Sequence, residues 1–390
     1  MTEYAHNYNV ELRNSSGELR KYLTPWVRSV SWEWNRIGGC GRCNISLAMG
    51  YCDIKFVVGD DIQIRVKSGS TTKLVYRGWV ASIVPTLKIG QEIRLDVRGY
   101  FDLLDHVVVQ DTGSDKTYTS SSIGDIVDSI ADTFIAANTD ITKGTINSTA
   151  FSVDSITFKS SVSDALSTLA EIAGGIEYGV DENLSFFWLA ERVTLRKIFR
   201  AGMDVESYEK RTDGNQLINK IYFEGGSDHR NSGQNSDSQS RYYLAEKIMM
   251  NSSITTSSVS AQFISAQLDL YSRPKTVLRI KVPNVALRLE DSLPIGKIAV
   301  SDPNSEERDN VWGTAANGGS NLLWGTTANG GSNELWGNLF SDQLYKVSYQ
   351  ISESEGKFHL DIQLGNSGIL EAAAKLRRLE QSITDLRQRS

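Results

Sequence analysis

Between Asp60 and Leu104 apolar and polar residues alternate: Ile62, Ile64 and Val66, then Leu74 and Tyr76, Val80 and Ile83, and Ile93, Leu95 and Val97. A period of two marks strands with one face turned to a core. The spacing predicts four short strands, with Gly69, Gly78 and Gly90 at turns or bulges. The same grammar returns in LPIGKIAV (Leu293–Val300) and, after an interruption, in QLYKVSYQISESEGKFHLDIQLG (Gln343–Gly365). Ile93–Gly99 (IRLDVRG) has its echo in Phe358–Gly365 (FHLDIQLG). The pattern predicts a duplicated β-barrel module with other material threaded between the copies.

Alternation at Asn9–Leu12 and Val27–Trp34, the large apolar Trp26, Trp32 and Trp34, and Ile45 and Leu47 complete a first β-barrel domain over 1–111. About seven or eight strands suffice to close a small barrel. The period then changes. Ser122 and Asp125 have the spacing of a capping box, with Asp in place of the usual Glu, ahead of Ile123, Ile126, Val127, Ile130, Ala131, Phe134 and Ile135 on one helix face. A second helix opens at Ser161–Asp164, carries Ala165, Leu166, Leu169, Ile172 and Ala173, and stops at Gly174-Gly175. A hairpin follows, with Ile176, Tyr178 and Val180 facing Leu184, Phe186 and Trp188. These elements predict an α+β domain over 112–195. A second β-barrel domain is expected over 196–366, with a helix at 257–272. Its polar stretch SDHRNSGQNSDSQSR is read as a mobile loop.

Two segments stand apart. Within an insertion at 303–337, Trp312, Trp324 and Trp336 recur every twelve residues, and Asn317-Gly-Gly-Ser-Asn321 is matched by Asn329-Gly-Gly-Ser-Asn333. Asn-Gly and Gly-Gly are turn chemistry, so this reads as a strand–turn–strand appendage. Its tryptophans pack on each other or a neighbour, or present aromatic faces and amides to a glycan. From 367 to 390 a helix is predicted, in which Ile369, Leu376 and Ile383, and Ala372, Leu379 and Leu386, fall on a and d positions of heptads flanked by charge. That seam serves either self-association or packing on its own domain.

Candidate chemistry changes this picture little. Cys40, Cys43 and Cys52 lie close together, and Cys40-x-x-Cys43 has zinc-ligand spacing, so the cluster reads either as part of a metal site or as small buried thiols. No nucleotide, metalloprotease or nucleophile-elbow motif is present, and the sequence calls for no cofactor. The pairs Asp60-Asp61 and Glu306-Glu307 read as solvated surface, and His359 with Asp361 as one strand face. A structural rather than catalytic role follows. The chain has 390 residues, a net charge of -6 and 40% hydrophobic residues, which is soluble globular composition and argues against gripping nucleic acid through a basic surface. No apolar run reaches the ~20 residues of a membrane span. The start MTEYAHNYNVELRN lacks a secretory pattern, so assembly in a cytoplasm is expected.

Three stretches together resemble the tail hub, or baseplate hub, proteins of tailed phages. They are GDDIQIRV…LVYRGWVASIVPTLKIGQEIRLDVRGYFDLL, SVSDALSTLAEIAGGIEYGVDENLSFFW, and SAQFISAQLDLYSRPKTVLRIKVPN…LEDSLPIGKIAV. The resemblance covers about residues 10–366 as a pattern of small motifs, and leaves out the Trp repeat and the heptads. It implies a mainly β fold of two tail-tube-like β-barrel domains with an α+β domain between them. Three chains would set six barrels in a ring, between a six-fold tube or distal tail protein and a three-fold tip, fibre or spike protein. DNA would pass through without specific binding, and the protein would reside in the virion tail. The Trp repeat gives an alternative, a receptor- or glycan-binding tip module.

Overall fold

The computed structural model describes residues 8–48, 54–68, 71–86, 92–111, 114–148, 151–174, 176–190, 195–200, 205–226, 228–283, 297–302, 338–352 and 357–365. It opens with β1 (Tyr8–Arg13), β2 (Leu19–Tyr22), β3 (Val27–Asn35), β4 (Ile37–Ala48), β5 (Asp61–Ser68), β6 (Thr71–Thr86) and β7 (Glu92–Gly99). These pair antiparallel in the order β3-β4-β7-β6-β5-β1-β2. Every second side chain points to one buried cluster: Val10 and Leu12 from β1, Ile62 and Ile64 from β5, Leu95 and Val97 from β7, and Val30 and Trp32 from β3. Strands β1 and β3 lie far apart along the sheet yet share that core, so the sheet curls around it. Among the described residues no ladder joins β3 to β1.

The alternation predicted four strands between Asp60 and Leu104, but Thr71–Thr86 is one strand of 16 residues. An irregularity between Val80 and Ser82 shifts its phase, which is why the apolar spacing breaks at Val80 and Ile83. Gly78 is no turn. It pairs with Ile62 on one side and Gly99 on the other, and a Cβ there would lie 2.5 Å from the Arg98 carbonyl oxygen.

The middle of the chain forms β8 (Gln110–Asp111), β9 (Ser114–Ser122), α1 (Ile123–Ile130), β10 (Thr142–Ile146), β11 (Ser152–Phe158), α2 (Val162–Ala173), β12 (Ile176–Val180) and β13 (Ser185–Ala190). Both helices start at the expected serines. Ser122 Oγ accepts the Asp125 N–H at 3.1 Å and donates to its carboxylate at 2.7 Å, and Ser161 does the same with Asp164 at 3.3 and 2.9 Å. The shorter Asp side chain thus receives the serine hydroxyl. The first helix ends in a π-helical turn over Ala131–Ala136, where Phe134 and Ile135 stay buried.

Next come β14 (Leu195–Arg200), β15 (Ser207–Asp213), β16 (Lys220–Gly225), β17 (Arg230–Gln234), α3 (Ser236–Arg241), β18 (Glu246–Asn251) and α4 (Ser257–Tyr271). The polar stretch expected to be a mobile loop contains β17 and α3. Its backbone pairs with β16 over Glu224↔Arg230 to Lys220↔Gln234, and Asn235 Oδ1 accepts the Ser238 N–H at 2.9 Å. Gly233 lies against Ile264 of α4. Ile221, Phe223, Phe263 and Ile264 join the α1 and α2 side chains, Tyr178 and Trp188 in a second core. The residues between β15 and α4 therefore pack with the helices that precede them.

The chain closes with β19 (Lys275–Pro283), β20 (Lys297–Asp302), β21 (Asn338–Ser352) and β22 (Lys357–Gly365). Their order with the two earlier strands is β15-β19-β22-β21-β20-β14. It repeats β3-β4-β7-β6-β5-β1 position for position. The repeat is antiparallel throughout except at its last pair, since β14 runs parallel to β20 whereas β1 runs antiparallel to β5. The hairpin β6–β7 corresponds to β21–β22, as the echo of Ile93–Gly99 in Phe358–Gly365 predicts.

The first unit and the middle segment meet where β12 runs parallel to β4, with Tyr178 opposite Ile37 and Val180 opposite Gly39. Gly39 has φ +73°, and a Cβ there would strike the Val180 carbonyl; one on Gly179 would strike Gly38 and Gly39. The Gly-rich GGC stretch is thus a crossing of two backbones. Beside it Arg36 Nε lies 3.6 Å from Glu177 Oε1, both side chains buried. Alanine at Gly39 or Gly179 is expected to lower stability in urea unfolding by at least about 2 kcal/mol, from overpacking plus the left-handed backbone at Gly39. Alanine at Gly214, which has nothing within 4 Å, should stay within about 0.5 kcal/mol of the parent. Glu177→Ala removes the buried carboxylate 3.6 Å from Arg36 Nε and should cost about 1–3 kcal/mol. Arg36→Met with Glu177→Leu should recover most of that loss in the same melts.

Candidate assembly seam and surfaces

The two repeated units are joined edge to edge. Strand β21 pairs antiparallel with β3 from Lys346↔Asn35 to Ser352↔Ser29, so one sheet of sixteen strands runs through both units. A strand near the end of the chain thereby satisfies the outer N–H and C=O groups of a strand near its beginning. The join is heterologous: one unit contributes its β3 position and the other its β21 position.

Reading the ladders across each unit fixes which residues correspond. In the first, Ser31, Asn44, Asp96 and Ser82 stand opposite one another in turn. In the second, the row is Ser207, Lys281, Asp361 and Ser348. The next row sets Trp32, Cys43, Val97 and Val80 against Tyr208, Ile280, Ile362 and Val347. Ser31-Trp32-Glu33 thus corresponds to Ser207-Tyr208-Glu209. At the seam itself Ser348 faces Glu33 and Tyr349 faces Trp32.

Charged groups lock the corner of the first unit. Asp60 and Asp61, expected at a solvated turn, are buried to 5% and 1% exposure. Arg20 Nη1 donates to both Asp60 oxygens at 2.7 Å, and the Val57 N–H donates to Asp60 Oδ2 at 2.8 Å. Asp61 accepts from Arg77 Nε at 3.0 Å, Gln63 Nε2 at 2.9 Å and the Tyr100 hydroxyl at 2.8 Å. Burial, then the Asp61 charge, pushes the Tyr100 phenol up, so it stays a donor. The partner arginines lie 40 and 16 residues away in sequence, which is why the pair looked solvated. These carboxylates are saturated by donors and tie β2, β5, β6 and the segment after β7 together.

Of the residues singled out in the sequence, Cys40 and Cys43 are buried on β4 within the first core. Burial raises both thiols, which disfavours the thiolate a metal would need. Among the described residues no group of three or more His, Cys, Asp and Glu is placed to hold a metal ion. Cys52, the repeat residues Trp312, Trp324, Trp336, Asn317 and Asn329, and the heptad residues Ile369, Ala372, Leu376, Leu379, Ile383 and Leu386 lie outside the described residues. The residues that flank the insertion in sequence, Asp302 and Asn338, pair with each other. His229, read as part of a mobile loop, has Nε2 2.9 Å from Ser260 Oγ on α4. No helix among the described residues is long and apolar enough to cross a membrane.

Sequence reasoning missed one surface. On the sheet β17-β16-β18, Tyr222 stands opposite Ile248 and Glu224 opposite Met250. Tyr243, Leu244, Ile248 and Met250 are all more than half exposed, Met250 to 76%. The signal was present as Ile248 and Met250, two apart in an edge strand, but their direction could be read only once Ile221 and Phe223 were seen to take the inner face.

No protein-family model matches the sequence, and no curated protein does. Among solved structures, the 43 kDa tail protein of prophage MuSo2 from Shewanella oneidensis matches with a TM-score of 0.60 at 12% identity, covering 92% of this chain and 97% of that one. A tail protein from Neisseria meningitidis MC58 matches with a TM-score of 0.58 at 13% identity, over 93% and 98% of the two chains. Prophage tail protein gp18 from Listeria monocytogenes EGD-e matches with a TM-score of 0.56 at 9% identity, over 96% and 99%. Nearly whole chains align on both sides, so the mainly β fold described here is similar to that of these three tail proteins.

Proposed function

We propose that this chain is a structural virion protein, a homotrimeric hub at the distal end of a phage tail. It matches a six-fold tail tube or distal tail protein to three-fold tip components and encloses the channel through which DNA passes. The carrying observation is the repeated strand order, with its two copies fused by a head-to-tail seam. A chain built from two equivalent wall units presents three-fold identity and near six-fold shape when three copies close a ring. Each unit then curls into a barrel, and the heptads from Ile369 to Leu386 hold the trimer or dock the next tip component.

The saturated carboxylates and buried thiols favour a wall over a catalytic site, and the net charge of -6 suits a channel that does not grip DNA. The pairing of Asp302 with Asn338 supports reading the Trp repeat as an appendage on that wall.

Light scattering or native mass spectrometry of the full chain should give three times the 43.2 kDa chain mass, with rings in negative-stain images. A stable monomer at all concentrations would sink the trimer. Replacing residues 303–337 by a two-residue turn should leave the three-chain stoichiometry and the melting transition unchanged, because Asp302 and Asn338 already face each other. Adsorption of phage carrying the deletion separates the roles of the repeat: loss of adsorption identifies receptor or glycan binding, and unchanged adsorption makes it a packing element.

A further inference from the structure

Strand β22 runs antiparallel to β19 and brings Gly365 opposite Val277. The residues after Gly365 therefore leave toward the start of β19, where Lys275 stands opposite Asp213. Gly214 follows β15, which lies two strand spacings, about 10 Å, from β22. The Tyr243 hydroxyl donates to the Gly214 carbonyl at 3.2 Å. Tyr243 and Leu244 are exposed, and their backbone is fixed. The buried Asn219 donates from Nδ2 to the Tyr243 carbonyl at 2.6 Å and accepts the Ala245 N–H at 2.8 Å. From there β18 carries the exposed Ile248 and Met250 onward, about 20 Å from Leu244 to Met250, while Met249 turns to the core. An apolar strip thus begins beside the point where the chain leaves β22 and runs on along β18. Exposed apolar strips rimmed by polar residues mark contact surfaces.

We propose that residues 369–386 of the same chain lie across this strip as a helix, with the heptad seam against Leu244, Ile248 and Met250. Reach, length and shape select this occupant. Extended, Asn366-Ser367-Gly368 spans about 10 Å, the separation of β22 from the end of β15. As a helix, Ile369 to Leu386 measures about 27 Å, enough to cover the strip from Leu244 to Met250. A seam of a and d positions is a narrow stripe and fits a strip one strand wide, with Met250 able to adapt to the side chains laid on it. Docking removes two apolar surfaces from water together. Because both belong to one chain, the contact forms without the translational and rotational loss that a second copy would bring. The clasp deepens the hub reading and rests on it. Of the two uses given to the heptads it selects docking of the next tip component, which would meet the outward face with Arg377, Arg378 and Asp385 at b and c positions.

Trypsin cleavage of the full chain after Lys375, Arg377 and Arg378, followed by mass spectrometry, reads whether the helix is held. Ile248→Asp with Met250→Asp should speed that cleavage at least about tenfold. Val84→Asp, at an exposed position of the first unit, should leave it unchanged. Light scattering of the same samples gives the number of chains. Cleavage as slow in the Asp pair as in the parent, or fast in both, overturns the clasp and leaves a trimer, if found, in place. A single chain whose cleavage still depends on Ile248 and Met250 overturns the trimer and keeps the clasp. Should the Asp pair fail to fold, the full chain carrying Met250→Cys with Ile383→Cys is oxidised with copper–phenanthroline. These positions lie about 20 Å from Leu244 and from Ile369 along their elements. A disulfide-linked peptide pair is then expected in the single-chain band of a non-reducing gel. A link only between chains, or no link, overturns the assignment of the strip to its own chain.

Discussion

The fold depends on the outer edge of β3. That strand brings Val30 and Trp32 into the first core, and its other neighbour is supplied by β21, from near the end of the described chain. Without that neighbour the N–H and C=O groups of Ser29–Asn35 would face water along an edge, open to any passing strand. With it, the two units share one ladder and cannot move independently. The seam also sets a folding order. Ladders within the first unit close early, but β3 must wait for the last strands, so the edge stays exposed until the second unit forms. A chain of this topology benefits from the polar, half-protected character of that edge, where Ser29, Ser31 and Glu33 alternate with the buried residues.

What could be read in advance was whatever period and local chemistry encode. Strands β5 and β7 showed themselves by strict alternation, and the helix starts at Ser122 and Ser161 by their spacing to Asp125 and Asp164. The duplication surfaced through Ile93–Gly99 and Phe358–Gly365, because a strand that fills the same slot in two units keeps the same inward positions. Features set by distant partners were not legible. A one-residue irregularity near Ala81 split a single long strand into two apparent ones. Strand β17 is nearly all polar, since its ladder to β16 is backbone work and its side chains cover little. Asp60 and Asp61 looked like surface because nothing local announces Arg20 and Arg77. The seam itself was invisible for the same reason, as pairing between edges leaves no period of its own.

Insertions in the second unit fall where a hairpin can open without disturbing a ladder. The tight connection from β3 to β4, through Arg36, is replaced between β15 and β19 by the residues that form β16 to α4. The short connection from β5 to β6 is replaced between β20 and β21 by the insertion that carries the Trp repeat. In both cases the strands on either side keep their partners, so added sequence costs only loop closure, which grows slowly with length. The first insertion then acquires a core of its own by joining α1 and α2. Its Gly233 and Ile264 lie against each other where the polar strand crosses α4.

The single departure between the copies follows from the same logic. Strands in the interior of each unit hold two ladders, so reversing one would break both. At the far end of the second unit, β14 is held among the described strands by one ladder, to β20, and is the least constrained, whereas its counterpart β1 lies between β5 and β2. The direction of each is set by where the chain arrives. β1 enters from the N-terminus and turns directly into β2 and β3, whereas β14 is delivered by the β12–β13 hairpin of the middle segment. Parallel pairing is slightly weaker per residue than antiparallel. The second unit accepts that loss at its least constrained position and keeps the rows of residues that run from β15 to β21 in register with those of the first.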